Sequence, residues 1–155
     1  MTLVKLNLGA GADMIGDAVN HDIVKHRPEI AIVWDLNRMP WPWQDETFEH
    51  IIAKAVFEHL RPTLVESLNE CWRILKPGGT VFVKVPWVGN EHAFDDPTHQ
   101  HWATIRTFDY FDPDRPLGRE YPWYTERKWQ VLSVEYNKGE SPASTAIIAK
   151  LQVRK

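Results

Sequence analysis

Apolar positions in this chain fall into short runs separated by turn residues, and one stretch alone repeats at the period of an amphipathic helix. Residues 3–8 read as a first strand and 18–22 as a short second one. Residues 30–35 make a third, with β-branched Ile30, Ile32 and Val33, and 50–53 a fourth. Leu64, Leu68, Cys71, Trp72 and Leu75 recur along one helical face, so a helix is predicted over 62–76. Pro62 fits its first turn, and Lys76 with Pro77-Gly78-Gly79 ends it. Residues 80–85 are nearly all apolar, as a central parallel strand buried on both faces requires. Residues 128–136 and 145–153 are two final strands joined by a polar connection over 137–142. Strands separated by crossovers, then a terminal pair close in sequence, predict an α/β fold with a mostly parallel sheet and an antiparallel C-terminal strand pair.

Composition narrows the class. With 155 residues, 43% hydrophobic and 25% charged, the chain suits a single domain over 1–155. A formal net charge of −3 with scattered Lys and Arg gives no basic stripe, which disfavours a nucleic-acid partner. The one cysteine, Cys71, excludes an internal disulfide, and no apolar run is long enough for a secretory core or a membrane span. A cytoplasmic protein without membrane contact is expected. The Trp and Pro residues concentrate in 40–43 and 86–129, and no internal repeat stands out.

Candidate chemistry begins where the first strand ends. Gly9 and Gly11 follow it directly, and glycine tolerates positive φ and lets a backbone approach a ligand with no Cβ in the way. A G-x-G alone is weak evidence; its place at a strand end, with Asp22 closing the second strand, strengthens it. A carboxylate at that position can accept both hydroxyls of a ribose, because α/β sheets bind ligands in the crevice outside their strand ends. Asp22 can equally cap a turn, as can Asp35 at the end of the third strand.

Five segments in order carry a family resemblance: Leu6-Asn7-Leu8-Gly9-Ala10-Gly11, Asn20-His21-Asp22-Ile23, Asp35-Leu36, Pro42-Trp43-Gln44-Asp45 with Phe48-Glu49, and Phe57-Glu58-His59-Leu60 followed by Arg73-Ile74-Leu75-Lys76-Pro77-Gly78-Gly79. Together they resemble a class I methyltransferase dependent on S-adenosylmethionine, of the small type 11-like kind, and the match runs from about residue 3 to residue 86. The resemblance implies a Rossmann-like sheet and S-adenosylmethionine as cofactor. It implies that Gly9, Ala10 and Gly11 cradle the cofactor, Asp22 and Ile23 meet the ribose, and Asp35 and Leu36 meet the adenine. Backbone groups at Lys54 and Ala55 would face the methionine part, whatever their side chains. Where the family has an acid and a third glycine, this chain has Asn7 and Asp13. Asn7 carries no charge for the cofactor's ammonium group, a role Asp13 can partly replace.

The gaps between residues 11 and 18 and between 23 and 29 are too short for covering helices, since a crossover containing a helix needs about ten to twelve residues. Reduced helical cover on one sheet face is therefore expected. Either the Trp/Pro-rich cap segment 87–127 folds back over that face, or a second subunit or partner does, because a large bare apolar face is unusual on a monomer. Segment 87–127 also lies where the methyl acceptor would enter. Its polar cluster is His92, Asp95, Asp96, His99 and His101, and Asp96-Pro97-Thr98-His99 resembles a segment of some small relatives. His99 is the first candidate for a base or acceptor-orienting group and His101 the second; both can equally tie down a loop. Three His and two Asp within ten residues can ligate Zn or Fe, but no recognised spacing such as H-E-x-x-H is present, so no metal is assigned. Cys71 is expected to pack and Arg73 and Lys76 to face solvent; Glu58 and His59 can reach the cofactor pocket, with structural hydrogen bonds the role expected of them. The expected function is methyl transfer to a small molecule. The alternatives are a cofactor-binding subunit without turnover and, less favoured by the spacing to Asp22, a dinucleotide oxidoreductase.

Overall fold

The computed structural model describes residues 4–139 and 145–155. Leu3 and residues 140–142 of the predicted connection lie outside them. Among the described residues one sheet is formed by β1 (Lys5–Leu8), β2 (Ala18–Asp22), β3 (Ile30–Val33), β4 (Phe48–Lys54), β5 (Leu75–Pro86), β6 (Lys128–Asn137) and β7 (Ala146–Arg154). Their spatial order is β3-β2-β1-β4-β5-β7-β6. The first five strands are mutually parallel, and β7 pairs antiparallel with both β5 and β6. The chain steps outward from β1 through β2 to β3, then returns to start β4 on the other side. That reversal leaves a crevice at the carboxyl ends of β1 and β4, where an open α/β sheet binds its ligand.

The core lies on one face of this sheet. Leu6, Leu8, Ile51, Val81, Val83 and Ala149 point into it and are buried against Leu68, Cys71 and Ile74 of α1 (Leu64–Ile74). Helix α1 is shorter than the predicted 62–76. Thr63 caps it: the Thr63 hydroxyl accepts the Glu66 N–H while the Glu66 carboxylate accepts the Thr63 N–H, so Pro62 stays outside the first turn. The chain then passes straight into β5, whose Leu75 already pairs with Phe48. The Pro77-Gly78-Gly79 turn shifts the register rather than merely ending the helix. Gly79 must be glycine here, because a Cβ would lie 2.9 Å from the Lys76 carbonyl and 3.1 Å from that of Glu49.

Arg73 is not on a solvated face. Its guanidinium binds Glu70 and Asp45 and donates to the carbonyls of Trp41 and Trp43, so loop 41–45 folds down onto α1. Trp41 is thereby buried, and Trp43 packs edge-on against Phe48 and His21. These rings fill space over the sheet that a crossover helix would otherwise occupy. Cys71 is fully buried and burial pushes its thiol pKa up, in keeping with a packing role.

Segment 87–127 contains α2 (His92–Asp95) and α3 (Pro116–Glu120) with short 3₁₀ turns between and after them. It reinforces the face that α1 already covers. Phe108 and Phe111 are buried in the same core, and Asp112 fastens the segment to the antiparallel edge by accepting the Val131 N–H and pairing with Arg154. On the opposite face Ile52, Phe82 and Ile148 are only half-buried. Lys5, His50, Thr80 and Lys150 frame a shallow hollow of about 560 Å³ there. The expected shortage of helical cover is real, and residues 87–127 do not make it good. No helix among the described residues is long and apolar enough to cross a membrane.

Candidate functional site

The loop after β1 is built by glycine geometry. Gly9 and Gly11 hold φ of +55° and +53°, a region that costs an L-residue with a side chain roughly 1–2 kcal/mol. A Cβ on Gly9 would stand 2.7 Å from Val56 Cγ2, so the loop presses against the residues that leave β4. Ala55, just beside it, has φ of +53°, an uncommon conformation for a residue other than glycine. Its N–H donates to the Lys84 carbonyl at 2.9 Å, which fixes the turn at the carboxyl end of β4. Strain of this kind persists where the surroundings impose it, and it clusters at binding sites.

Three polar side chains beneath the loop lock its shape. Asn7 is buried, and its amide donates to the Asp13 carbonyl at 2.8 Å and to Asn20 Oδ1 at 2.9 Å. Asn20 in turn holds both the N–H and the carbonyl of Ile15 at 3.0 Å. His21 is 1% exposed; its Nδ1 accepts the Gly9 N–H at 3.2 Å and its Nε2–H donates to the Trp34 carbonyl at 2.9 Å. That pattern needs a neutral imidazole, and burial lowers the pKa of His21. Ala10 completes the seam by donating its N–H to the His21 carbonyl.

The carboxyl ends of β2 and β3 supply the acids. Asp22 Oδ2 accepts the Gly11 N–H at 2.8 Å, and its Oδ1 accepts the Ile23 N–H at 2.7 Å. The carboxylate is thus aimed across the glycine loop with a lone pair spare on each oxygen. Ile23 beside it is 59% exposed. Asp35 Oδ1 accepts both the N–H and the side-chain amide of Asn37, which hold its carboxyl below the usual range. Leu36 is buried in the core, and its carbonyl accepts the Trp41 indole N–H. Asp13, at the loop's outer rim, stands 3.8 Å from the ammonium of Lys54 at the end of β4.

The polar cluster expected in segment 87–127 divides. His92 pairs with Asp95 on the exposed side of α2, and His101 Nε2–H donates to the Pro62 carbonyl at 2.9 Å, anchoring the segment before α1. His99 instead turns inward. Its Nδ1–H donates to the Ala93 carbonyl at 3.0 Å, and its ring lies 4.7 Å from that of His59. Both abut Glu58, which is 1% exposed. Neither carboxylate oxygen of Glu58 has a hydrogen-bond partner among the described residues, contrary to the structural bond expected of it. Burial raises its pKa to about 7. Glu58 also lines the small hollow that holds Ala55, Lys84 and Val85.

The predicted residues thus gather on the carboxyl edge of β1, β2, β3 and β4, whereas His101 serves the loop. Sequence reasoning missed His21 and Asn20 as organisers of the glycine loop. The alternation of β2 around Asp22 was the available signal for them. It also undervalued Glu58.

Strand order and glycine loop define a Rossmann-like architecture. The methyltransferase-domain family matches the chain over residues 11–83. A Methanosarcina mazei S-adenosylmethionine-dependent methyltransferase has a similar structure, with TM-score 0.66 and 12% identity over 97% of this chain and 92% of that one. So does a Burkholderia thailandensis 1,6-didemethyltoxoflavin N1-methyltransferase crystallised with S-adenosylhomocysteine, with TM-score 0.63 and 12% identity over 99% and 72%. A chain of the complex containing the Haloferax volcanii Trm112 methyltransferase activator matches with TM-score 0.63 and 18% identity over 98% and 82%. No curated protein matches significantly. The family match spans 73 of the 155 residues, and the chain shares the fold of these S-adenosylmethionine-dependent methyltransferases.

Proposed function

We propose that the protein binds S-adenosylmethionine along the carboxyl edge of β1–β4 and transfers its methyl group to a small molecule. The observation that carries this reading is the Asp22 carboxylate, held by the Gly11 N–H at the switch point of the sheet. Its spare lone pairs accept the two ribose hydroxyls. Asp35 and Leu36 border the adenine, with the exposed Ile23 side chain closing its edge. At the other end the zwitterionic methionine meets Asp13 and Lys54, which lie together across the crevice with the charges its ammonium and carboxylate require. The methyl then points toward the hollow of Ala55, Glu58 and Lys84, and His99, whose ring nitrogen lies near the Glu58 carboxylate that lines it, is the acceptor-side base or orienting group. Transfer from a sulfonium is an in-line displacement, so holding acceptor and methyl in line supplies much of the rate.

A second reading, a cofactor-binding subunit whose partner completes the site, draws on the half-bare sheet face and on Asn7 in place of an acid. Sedimentation at micromolar concentration tests it: a clean monomer that methylates an acceptor removes it. For the main reading, isothermal titration of tag-free protein with S-adenosylhomocysteine should give one site. Asp22→Ala should weaken it at least about tenfold, since hydrogen bonds to a charged acceptor contribute roughly 1.5–3 kcal/mol each. Absence of binding, or a preference for NAD, overturns it.

A further inference from the structure

We infer that Glu58, His59 and His99 form a binding site for a divalent transition-metal ion at the wall of the acceptor hollow. The ligand atoms these three residues offer all lie within 4.8 Å of one another. Donors about 2.1 Å from a tetrahedral ion stand roughly 3.4 Å apart, so small side-chain rotations close the site. Two imidazoles and one carboxylate suit Zn²⁺ or another first-row divalent ion and leave positions open for an exchangeable ligand.

The surroundings of the three residues point the same way. His59 Nδ1–H donates to Thr98 Oγ1 at 2.7 Å, and the Thr98 hydroxyl donates to Asp96 Oδ1 at 2.6 Å. His99 Nδ1–H is spent on the Ala93 carbonyl. Each ring is therefore held in the tautomer that leaves Nε2 with a free lone pair, His99 backed by a carbonyl and His59 by a hydroxyl that relays to the Asp96 carboxylate, as metal-bound histidines are backed. Glu58 is buried beside them with neither oxygen partnered among the described residues, a costly arrangement that a cation would relieve. The loop bearing His99 is drawn to this spot by the Gln100 N–H, which donates to the Glu58 carbonyl at 2.7 Å. An ion here occupies the His99 lone pair, so His99 orients the acceptor rather than deprotonating it. An oxygen of the methyl acceptor is then the exchangeable ligand. That last role rests on the methyl-transfer reading; the ion site does not.

The test is titration of tag-free protein with Zn²⁺ in a non-chelating buffer, followed by calorimetry. Wild type should bind one equivalent. Glu58→Gln and His99→Ala should each weaken binding at least about tenfold, and the exposed Thr98→Ala about 10–100-fold through loss of the His59 backing. His92→Ala, outside the cluster, should bind as wild type does. Co²⁺ should give a visible spectrum of nitrogen and oxygen ligation in wild type that Thr98→Ala alters without loss of fold. No Zn²⁺ binding by wild type, or binding indifferent to Glu58→Gln, His99→Ala and Thr98→Ala, overturns the proposal. A protein that binds S-adenosylhomocysteine but no Zn²⁺ would refute the ion site alone. One that binds Zn²⁺ but no S-adenosylhomocysteine would refute the methyl-transfer reading alone.

Discussion

Gly9→Ala probes the geometry on which the cofactor loop depends. Alanine at φ of +55° incurs about 1–2 kcal/mol of left-handed strain. Its Cβ would also arrive 2.7 Å from Val56 Cγ2, and Val56 is 7% exposed with little room to retreat. Overpacking of that kind adds about 1–3 kcal/mol. The sum, about 2–5 kcal/mol, corresponds to a fall in Tm of roughly 4–20 °C for a domain of this size. Thermal unfolding by circular dichroism measures the total, and calorimetry with S-adenosylhomocysteine reports whether the loop still binds. In a Val56→Ala background the clash should vanish and the left-handed strain remain, so the penalty of Gly9→Ala should shrink by its overpacking share. A Gly9→Ala protein as stable as wild type within about 0.5 kcal/mol, or a penalty unchanged by Val56→Ala, would refute the reasoning.

Two further outcomes follow from the site. His21 is neutral in the fold and its pKa is lowered by burial, so as pH falls the unfolded chain takes up the proton first. The stability it contributes is therefore complete above about pH 6.5 and is lost as pH falls below that through the lower folded-state value. Urea unfolding at pH 7.5 and 5.5 should show wild type losing more stability on acidification than His21→Gln does. Glu58, raised by burial to about 7, and His26, raised by the Gly11 carbonyl, act with the opposite sign in both proteins and cancel in the difference. An equal loss in the two proteins would sink the assignment. Lys54→Ala and Asp13→Asn should each weaken S-adenosylhomocysteine about three- to tenfold, as expected of partly exposed charge contacts, and leave adenosine binding unchanged. Weakening of adenosine to the same degree would place the pair elsewhere than at the methionine end.

Much of the scaffold was legible because local signals agreed. Strand β2 occupies the residues expected of it, bounded by turns on both sides, and the nearly all-apolar run 80–85 lies within β5, although only Val81, Val83 and Val85 on one face are buried rather than both faces. The shortness of the segments after β1 and β2 correctly predicted an uncovered face, a matter of chain length alone. Where the cap segment would fold was not legible, because that depends on Phe108, Phe111 and Asp112 meeting partners on β6 and β7, distant in sequence. Arg73 was misread for a related reason. Its place off the apolar helix stripe suggested solvent, but a tryptophan loop from before β4 folds over it. At the site, Gly9, Gly11 and Asp22 announced themselves by type and order. The convergence of Glu58, His59 and His99 did not, since it is set by one backbone bond from Gln100 to Glu58 and by the inward turn of a single histidine.

The central claim is that the glycine loop and Asp22 hold an adenosyl ligand at the carboxyl edge of β1 and β2. A crystal structure of the protein with S-adenosylhomocysteine tests it most directly. The account predicts both ribose hydroxyls on the Asp22 carboxylate at about 2.5–3.0 Å, with the homocysteine end between Asp13 and Lys54. Ribose hydroxyls bound elsewhere, with Asp22 still engaged only by the Gly11 and Ile23 N–H groups, would contradict it.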